Sequence, residues 1–130
     1  MKSKKEVYRE IEGELGFVPS FFKRLPEGAL HQEWSLFHQQ LDDQYGSIPP
    51  KYRELMGVSV ASALQCPYCV NAHTQFSQHL YGASDKEIED AIHTAKHTAG
   101  WSSYVRGLAI DLEKFKSEVT QACEHIKKNK

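Results

Sequence analysis

The chain has 130 residues, of which 40% are hydrophobic and 25% are charged, as expected for one soluble globular domain. Its formal net charge of −1 gives no electrostatic reason to expect a nucleic-acid partner. No apolar run approaches the roughly 20 residues of a membrane-spanning helix, and no apolar segment typical of a secretory signal follows the N-terminus. We therefore expect a single domain over residues 1–130, cytoplasmic and without a membrane anchor.

Helical periodicity begins near the N-terminus. Apolar residues recur there at every fourth position, at Val7, Ile11 and Leu15. This spacing predicts a first helix near residues 3–15, with Gly16 as its C-cap. Phe21 and Phe22 then lie in a predicted short apolar turn that plugs the core or contacts another subunit.

A second helix is predicted over residues 27–45, ended by Gly46. Its buried stripe consists of Leu30, Trp34, Phe37 and Leu41. Pro49 and Pro50 signal the start of a third helix that runs to about Leu64, because proline is pre-organised for a first turn. Small residues that allow close packing recur along this helix, at Gly57, Ser59, Ala61, Ser62 and Ala63.

The C-terminal half of the chain is predicted to continue as helices. Cys66-Pro67 restarts a helix that reaches Gly82, and Ser84 with Glu87 matches the capping box that opens the next one. The inward side of that next helix is predicted to be Ile88, Ala91, Ile92 and Ala95. After Gly100, one long amphipathic helix is predicted to carry Tyr104, Val105, Leu108, Leu112, Phe115, Val119 and Ile126. No segment alternates with period two over the length of a strand, so the fold class is all-α, with six or seven helices.

Two groups of aromatic residues bear on core and interface. Trp34, Phe37, Trp101 and Tyr104 recur at helical spacing, so the default prediction places them in the core. A subunit interface can nevertheless take some of them in so small a chain. Phe21 and Phe22 are the preferred residues for such a contact.

Residues 54–73 contain a chemically informative pattern. Cys66 and Cys69 are three positions apart at a predicted helix start, where they can form a disulfide and where the helix N-terminus favours a thiolate. His73 follows Cys69 by four residues on the same helical face, so its imidazole can take the thiol proton. Glu54, on the preceding helix, can fix the imidazole tautomer and stabilise its charged form. This pattern favours thiol redox chemistry.

Two cues disagree about which cysteine attacks a substrate. The helix N-terminus favours Cys66 as the thiolate, whereas pairing with His73 favours Cys69. Because a histidinium partner usually lowers a thiol pKa at least as much as a helix dipole does, Cys69 is predicted to be the nucleophile. Cys66 is then the resolving thiol.

The spacing Glu54-x11-Cys66-x2-Cys69-x3-His73 resembles the signature of the carboxymuconolactone decarboxylase superfamily, in its alkylhydroperoxidase-D-like (AhpD-like) branch. The resemblance covers this motif and, more loosely, the helical pattern from about residue 27 to residue 115. It implies an all-helical AhpD-like fold over residues 1–130. It also implies assembly into homo-oligomers, as a hexamer of single-domain chains or a trimer of doubled ones.

The resemblance further implies peroxidase chemistry of the peroxiredoxin type. A hydroperoxide or disulfide substrate would be reduced, Cys69 would become a sulfenate, and Cys66 would close the disulfide. Glu54 and His73 would act as the proton relay, and no tightly bound cofactor is implied. An external dithiol, lipoyl-type or thioredoxin-like, would reset the enzyme. Tyr68 departs from some relatives, which carry a histidine there, so a second imidazole is missing from the relay.

Alternative interpretations use the same cysteines. A non-enzymatic zinc-binding or redox-sensing module could use a Cys2His2 set of Cys66, Cys69, His93 and His97. The 23 residues between Cys69 and His93 exceed the roughly 12–15 of small zinc fingers, and His93 and His97 are predicted to be exposed helix residues. A glutaredoxin-like fold is disfavoured because residues 61–65 are predicted to be helical. Decarboxylase-type chemistry of the same superfamily is a further alternative. Cys123 is predicted to be structural or incidental.

Overall fold

The computed structural model describes residues 1–130 as seven α-helices, with no strand. The helices are α1 (Lys4–Leu15), α2 (Ser20–Lys23), α3 (Glu27–Leu41), α4 (Pro50–Ala63), α5 (Pro67–Tyr81), α6 (Asp85–Gly107) and α7 (Leu112–Lys128). The predicted all-α class is therefore confirmed. None of these helices combines the length and the apolar composition that a bilayer crossing requires.

Local capping signals set several helix ends where the sequence predicts them. Gly16 ends α1 and Gly82 ends α5, each with a positive φ, of 81° and 67° respectively. Ser84 and Glu87 form the predicted capping box at the start of α6. Pro50 occupies the first turn of α4, as expected of a residue that has no N–H to leave unpaired.

The predicted end of the second helix is wrong. Helix α3 ends at Leu41 rather than Tyr45, because Asp42 has an extended backbone with ψ 124°. The guanidinium of Arg53, on α4, donates hydrogen bonds to the carbonyl oxygens of Gln39, at 2.9 Å, and Asp42. A side chain from another helix thus satisfies the carbonyl groups at this helix end.

The predicted long final helix is also wrong. Helix α6 continues through Gly100 to Gly107, and the chain then breaks before α7 begins. Ala109 has a φ of 50° in this break, and the side chain of Asp111 accepts a hydrogen bond from the Lys114 N–H at 2.7 Å. Asp111 is therefore an N-cap, a signal that the continuous apolar periodicity concealed.

The first core cluster joins α1, α2 and α3. It consists of Val7, Ile11, Phe22, Leu30 and Trp34. The Phe22 ring meets the Trp34 ring edge-on, at a centroid distance of 5.6 Å. Phe22 thus fills the core, which confirms the first of the two predicted roles of this turn and contradicts a subunit contact at Phe22. Its neighbour Phe21 is exposed.

The second core cluster packs α4 against α6. Val58, Ala83 and Ile88 are buried there, and the Ser59 hydroxyl donates a hydrogen bond to the Ala91 carbonyl at 2.7 Å. This contact places α4 between α5 and α6, because α4 also packs against α5. The central position of α4 determines where the candidate site lies.

The second half of α6 does not belong to this core. Helix α6 has 23 residues and packs against α4, which has only 14. Trp101 and Tyr104 are exposed, and Ile92 is exposed as well, so the prediction that they face the core is wrong within one chain. Trp101 and Tyr104 instead contact each other edge-on on the surface, at a centroid distance of 6.0 Å.

Candidate active site

The two cysteines of the motif meet at the N-terminus of α5. Cys66 is the N-cap residue, and its sulfur lies 2.9 Å from the sulfur of Cys69. The backbone N–H of Cys69 also donates a hydrogen bond to the Cys66 sulfur, at 3.3 Å. Both thiols are free, Cys66 half-buried and Cys69 exposed, so a dithiol lies at the surface of the helix start.

The hydrogen bonds at this helix start shift the pKa values of the two thiols in opposite directions. The Cys69 side chain and then the Cys69 backbone N–H lower the pKa of Cys66 below its ordinary value. The same side-chain contact and then desolvation raise the pKa of Cys69. These directions favour Cys66 over Cys69 as the first thiol to ionise, in agreement with the helix-terminus argument. The choice of Cys69 as the nucleophile stays a prediction.

Glu54 and His73 form a second pair, between α4 and α5. The carboxylate Oε2 lies 2.7 Å from the imidazole Nδ1, although 19 positions separate the two residues in the chain. Glu54 is 0% exposed and the His73 side chain is 29% exposed. An ionised Glu54 accepts the Nδ1 proton, which leaves Nε2 as the nitrogen that can take or give a proton.

Gly57 allows the imidazole to lie this close to α4. A Cβ on Gly57 would come within 2.5 to 2.7 Å of three ring atoms of His73: Nδ1, Cγ and Cε1. Any side chain would therefore displace the ring or push the two helices apart. The sequence identified Gly57 as one of several small residues, but its contact with the imidazole depends on tertiary packing.

Tyr81 is a further residue that the sequence did not single out. Its hydroxyl donates a hydrogen bond to the Leu41 carbonyl at 2.7 Å, which joins the end of α5 to the end of α3. Burial, followed by the negative charge of Glu54, raises the pKa of Tyr81. Tyr81 therefore lies within electrostatic reach of Glu54, whose Oε1 atom is buried without a hydrogen-bond partner.

The four residues of the motif are hydrogen-bonded as two pairs. One pair is Glu54 with His73, and the other is Cys66 with Cys69. No hydrogen bond joins His73 to either sulfur, although Cys69 and His73 are one turn apart on α5. A proton therefore passes between thiol and imidazole only through a bound substrate or a bridging water, or after a small movement.

The residues of the zinc alternative do not come together. No three His, Cys, Asp or Glu side chains of the chain are close enough to hold a metal ion together. His93 and His97 instead line a surface cavity of about 320 Å³ on α6, together with Lys96, Trp101 and Tyr104. The Cys2His2 set of Cys66, Cys69, His93 and His97 is therefore not assembled within one chain. Cys123 is exposed on α7.

Comparisons with known proteins agree on one family. The model of the Carboxymuconolactone decarboxylase family matches residues 29–112, which include the whole motif. A protein named alkyl hydroperoxide reductase, from Mycobacterium tuberculosis, is 35% identical over 89 residues. That match covers 67% of this chain but only 24% of the relative, so the chain spans about a quarter of the relative's length.

A solved structure supports the fold. The crystal structure of the alkylhydroperoxidase AhpD core from Rhodospirillum rubrum superposes with a TM-score of 0.72. The match covers 85% of this chain and 84% of that one, at 22% sequence identity. The helical arrangement predicted from the motif is therefore that of a known fold.

Proposed function

The chain belongs to the carboxymuconolactone decarboxylase family, in its AhpD-like branch, and on that basis we propose that it is a thiol-dependent oxidoreductase. Cys66 and Cys69 would reduce a hydroperoxide or a disulfide, with His73 and Glu54 as the proton relay. The observation that carries this proposal is the 2.9 Å contact between the sulfurs at the start of the helix that also holds the Glu54-paired His73. The relative named alkyl hydroperoxide reductase supports the same reaction class.

The first chemical step is attack by Cys69 on a hydroperoxide. Cys69 is the more exposed thiol, and the Cys66 thiolate takes its proton across the 2.9 Å contact. The Cys69 sulfur then bonds to the outer oxygen of the hydroperoxide, and the O–O bond breaks. Sulfur is oxidised to a sulfenic acid, and the departing alkoxide takes a proton from the His73 imidazolium to become an alcohol.

The second step closes the disulfide. A bridging water carries the Cys66 proton to neutral His73, and the Cys66 thiolate then attacks the Cys69 sulfur. Hydroxide leaves and takes the imidazolium proton, so the products are one disulfide and one water. An external dithiol of the lipoyl or thioredoxin type then reduces the Cys66–Cys69 disulfide by exchange and is itself oxidised.

Glu54 supports both steps through the imidazole. Its carboxylate lies 2.7 Å from Nδ1 and orients the ring. It also stabilises the imidazolium, which donates a proton twice in each cycle. Its complete burial keeps that charge close to the ring and unscreened by solvent. On this proposal, residues 1–130 form one AhpD-like domain that works in the cytoplasm as a homo-oligomer.

A thiol count tests the proposal. The reduced chain has three thiols, and one equivalent of tert-butyl hydroperoxide should consume two of them in a Cys66–Cys69 disulfide, identified by peptide mass spectrometry. The Cys69→Ser variant should lose no thiol on the same timescale, whereas Cys123→Ser should still form the disulfide. Loss of only one thiol in wild type, matched by the same loss in Cys66→Ser/Cys69→Ser, would contradict it, and so would no loss in wild type.

A further inference from the structure

The chain exposes much more surface than a folded monomer of its mass. Its accessible area is 9946 Å² at 14.8 kDa, and only 14 of its 130 residues are buried. A folded monomer of this mass exposes about 7,000 Å². The excess is roughly 3,000 Å² per chain, whereas one standard interface removes only about 800 Å² from each partner. More than one surface of the chain must therefore be buried against another protein surface.

Helix α7 supplies the first uncovered surface. No residue of its 17 is buried, although one face of the helix is apolar. We call this face the α7 stripe, and it consists of Leu112, Phe115, Val119 and Ile126. These side chains are 40% to 61% exposed. Because most of the stability of a protein helix comes from packing its apolar face, α7 needs a partner surface.

A groove between α4 and the second half of α6 supplies the second uncovered surface. It has a volume of about 290 Å³. Its lining, which we call the α4–α6 groove, includes Ser59, Val60, Ala63, Ala95, Ala99 and Ser102. Most of these side chains are small, so the backbone of another helix can approach closely, and bulky side chains of that helix can fill the space.

We propose that α7 of a second copy of this chain lies in the α4–α6 groove, with its α7 stripe against the small residues. The second copy carries both a stripe and a groove, so reciprocal contacts cover two surfaces of every chain in one closed assembly. This accounts for an excess area larger than one standard interface. Pairing of α7 with another α7 would leave the α4–α6 groove uncovered.

The same contact would border the dithiol. Exposed apolar residues recur at four-residue steps along α4 and at its C-cap, at Tyr52, Met56, Val60 and Leu64. Leu64 precedes Cys66 by two residues, and Tyr68, beside Cys69, is 84% exposed. A second copy lying along this face would form a wall next to sulfurs that one chain leaves open. This consequence rests on the proposed function, whereas the interface itself does not.

Photo-crosslinking tests the interface. A benzophenone amino acid replaces Val119 in the full chain, and equal amounts of ¹⁴N- and ¹⁵N-labelled protein are mixed, unfolded and refolded together before illumination. We expect an oligomer by light scattering and mixed-isotope crosslinks from position 119 to residues 59–63 or 94–102. The matched control carries the benzophenone at Ser117, on the opposite face of α7, and should not give these crosslinks.

Other crosslinking results would overturn the interface. A monomer in solution would do so, as would crosslinks from position 119 to α7 of another copy, or crosslinks confined to a single isotope. Val119→Glu should dissociate the assembly, whereas Ser117→Glu should not. The expected crosslinks can form while the dissociated Val119→Glu chain still forms the Cys66–Cys69 disulfide as fast as wild type. That combination would support the interface and refute only its role beside the dithiol.

Discussion

Glu54 and His73 lie on consecutive helices, and the buried carboxylate Oε2 of one is 2.7 Å from the imidazole Nδ1 of the other. The contact ties α4 to α5 at the turn that follows the dithiol. A fully buried carboxylate is costly unless it is paired, so this pair contributes to the fold as well as to proton transfer. A substitution can remove the charge of Glu54 and keep its hydrogen bond to His73.

The substitution Glu54→Gln should keep the hydrogen bond but remove the charge. The amide oxygen of glutamine can still accept from Nδ1, so the ring stays oriented, but the imidazolium loses its stabilising carboxylate. We expect the rate of disulfide formation with tert-butyl hydroperoxide to fall about 100-fold, at the lower end for loss of acid–base catalysis. Stopped-flow fluorescence or quenched thiol counts would measure this rate.

Glu12→Gln is the control for this charge change. Glu12 is an exposed carboxylate on α1, and its replacement should leave the rate unchanged. An unchanged rate in Glu54→Gln, with the variant folded by circular dichroism, would remove Glu54 from the proton relay.

The substitution Gly57→Ala should disrupt the same pair by steric contact. The added Cβ would come within 2.5 Å of Nδ1, so the ring must leave Glu54 or the helices must separate. Overpacking of this kind costs about 1–3 kcal/mol, and the oxidation rate should fall along with the stability. Urea unfolding and the thiol count measure the two effects.

Gly100→Ala provides the matched control for Gly57→Ala. Gly100 is also inside a helix, but a Cβ there would meet nothing within 4 Å. Alanine favours the helix over glycine by about 1 kcal/mol, so this variant should be as stable as wild type or more stable. Equal effects of the two alanines would refute the special role of Gly57.

The substitution Tyr81→Phe should change how stability depends on alkaline pH. The pKa of Tyr81 is raised in the folded chain by burial and by Glu54, so above about pH 10 the unfolded chain loses the phenol proton before the folded chain does. Folding stability should therefore fall as pH rises through this range. Phenylalanine should remove that decline. It should also lower the free energy of unfolding near neutral pH by about 1 kcal/mol, because one hydrogen bond is lost.

Urea unfolding of wild type and Tyr81→Phe at a series of alkaline pH values measures the difference between the two proteins. The contribution of the lysines cancels in that difference. Parallel stability curves for the two proteins would show that Tyr81 has no raised pKa. A smaller difference in the Glu54→Gln background would identify the carboxylate charge as one of its causes.

The helices were largely predictable because their signals are local. Ser84 and Glu87 lie within one turn of each other, and so do Cys66 and Cys69, so the capping box and the dithiol can be recognised from spacing alone. The sequence does not predict the break before α7, because the apolar residues continue at helical spacing across Asp111. The apolar spacing favours one continuous helix, whereas the cap residue favours a new helix start. Tertiary contacts are needed to decide between the two.

The contact between Glu54 and His73 belongs to another class, because it joins residues 19 positions apart. Spacing within one helix says nothing about this contact. The chemistry of a carboxylate and an imidazole, together with the family resemblance, suggests the pair but not its geometry. The role of Gly57 was not predictable, since it depends on how closely α5 approaches the backbone of α4. The helical spacing of Trp101 and Tyr104 predicts a core position, yet spacing does not show whether the same chain or another one covers that face.

The reactivity of the two thiols with pH distinguishes them. The pKa of Cys66 is lowered from its ordinary value, mainly by the Cys69 side chain, whereas the pKa of Cys69 is raised. Only a thiolate reacts with iodoacetamide, so Cys66 should be alkylated first near neutral pH, and Cys69 should require a higher pH. Peptide mass spectrometry after short labelling gives the two pH profiles.

Two substitutions at position 69 test the cause of the Cys66 shift. Cys69→Ala removes the side-chain hydrogen bond but keeps the backbone N–H, so the pKa of Cys66 should rise part of the way back to its ordinary value. Cys69→Ser keeps a donor in nearly the same place and should retain more of the lowered pKa. Identical Cys66 profiles in the two variants would show that the side-chain contact is not the cause. Alkylation of Cys69 before Cys66 in wild type would instead mean that His73 outweighs the helix terminus, and the resting thiolate would then belong on Cys69.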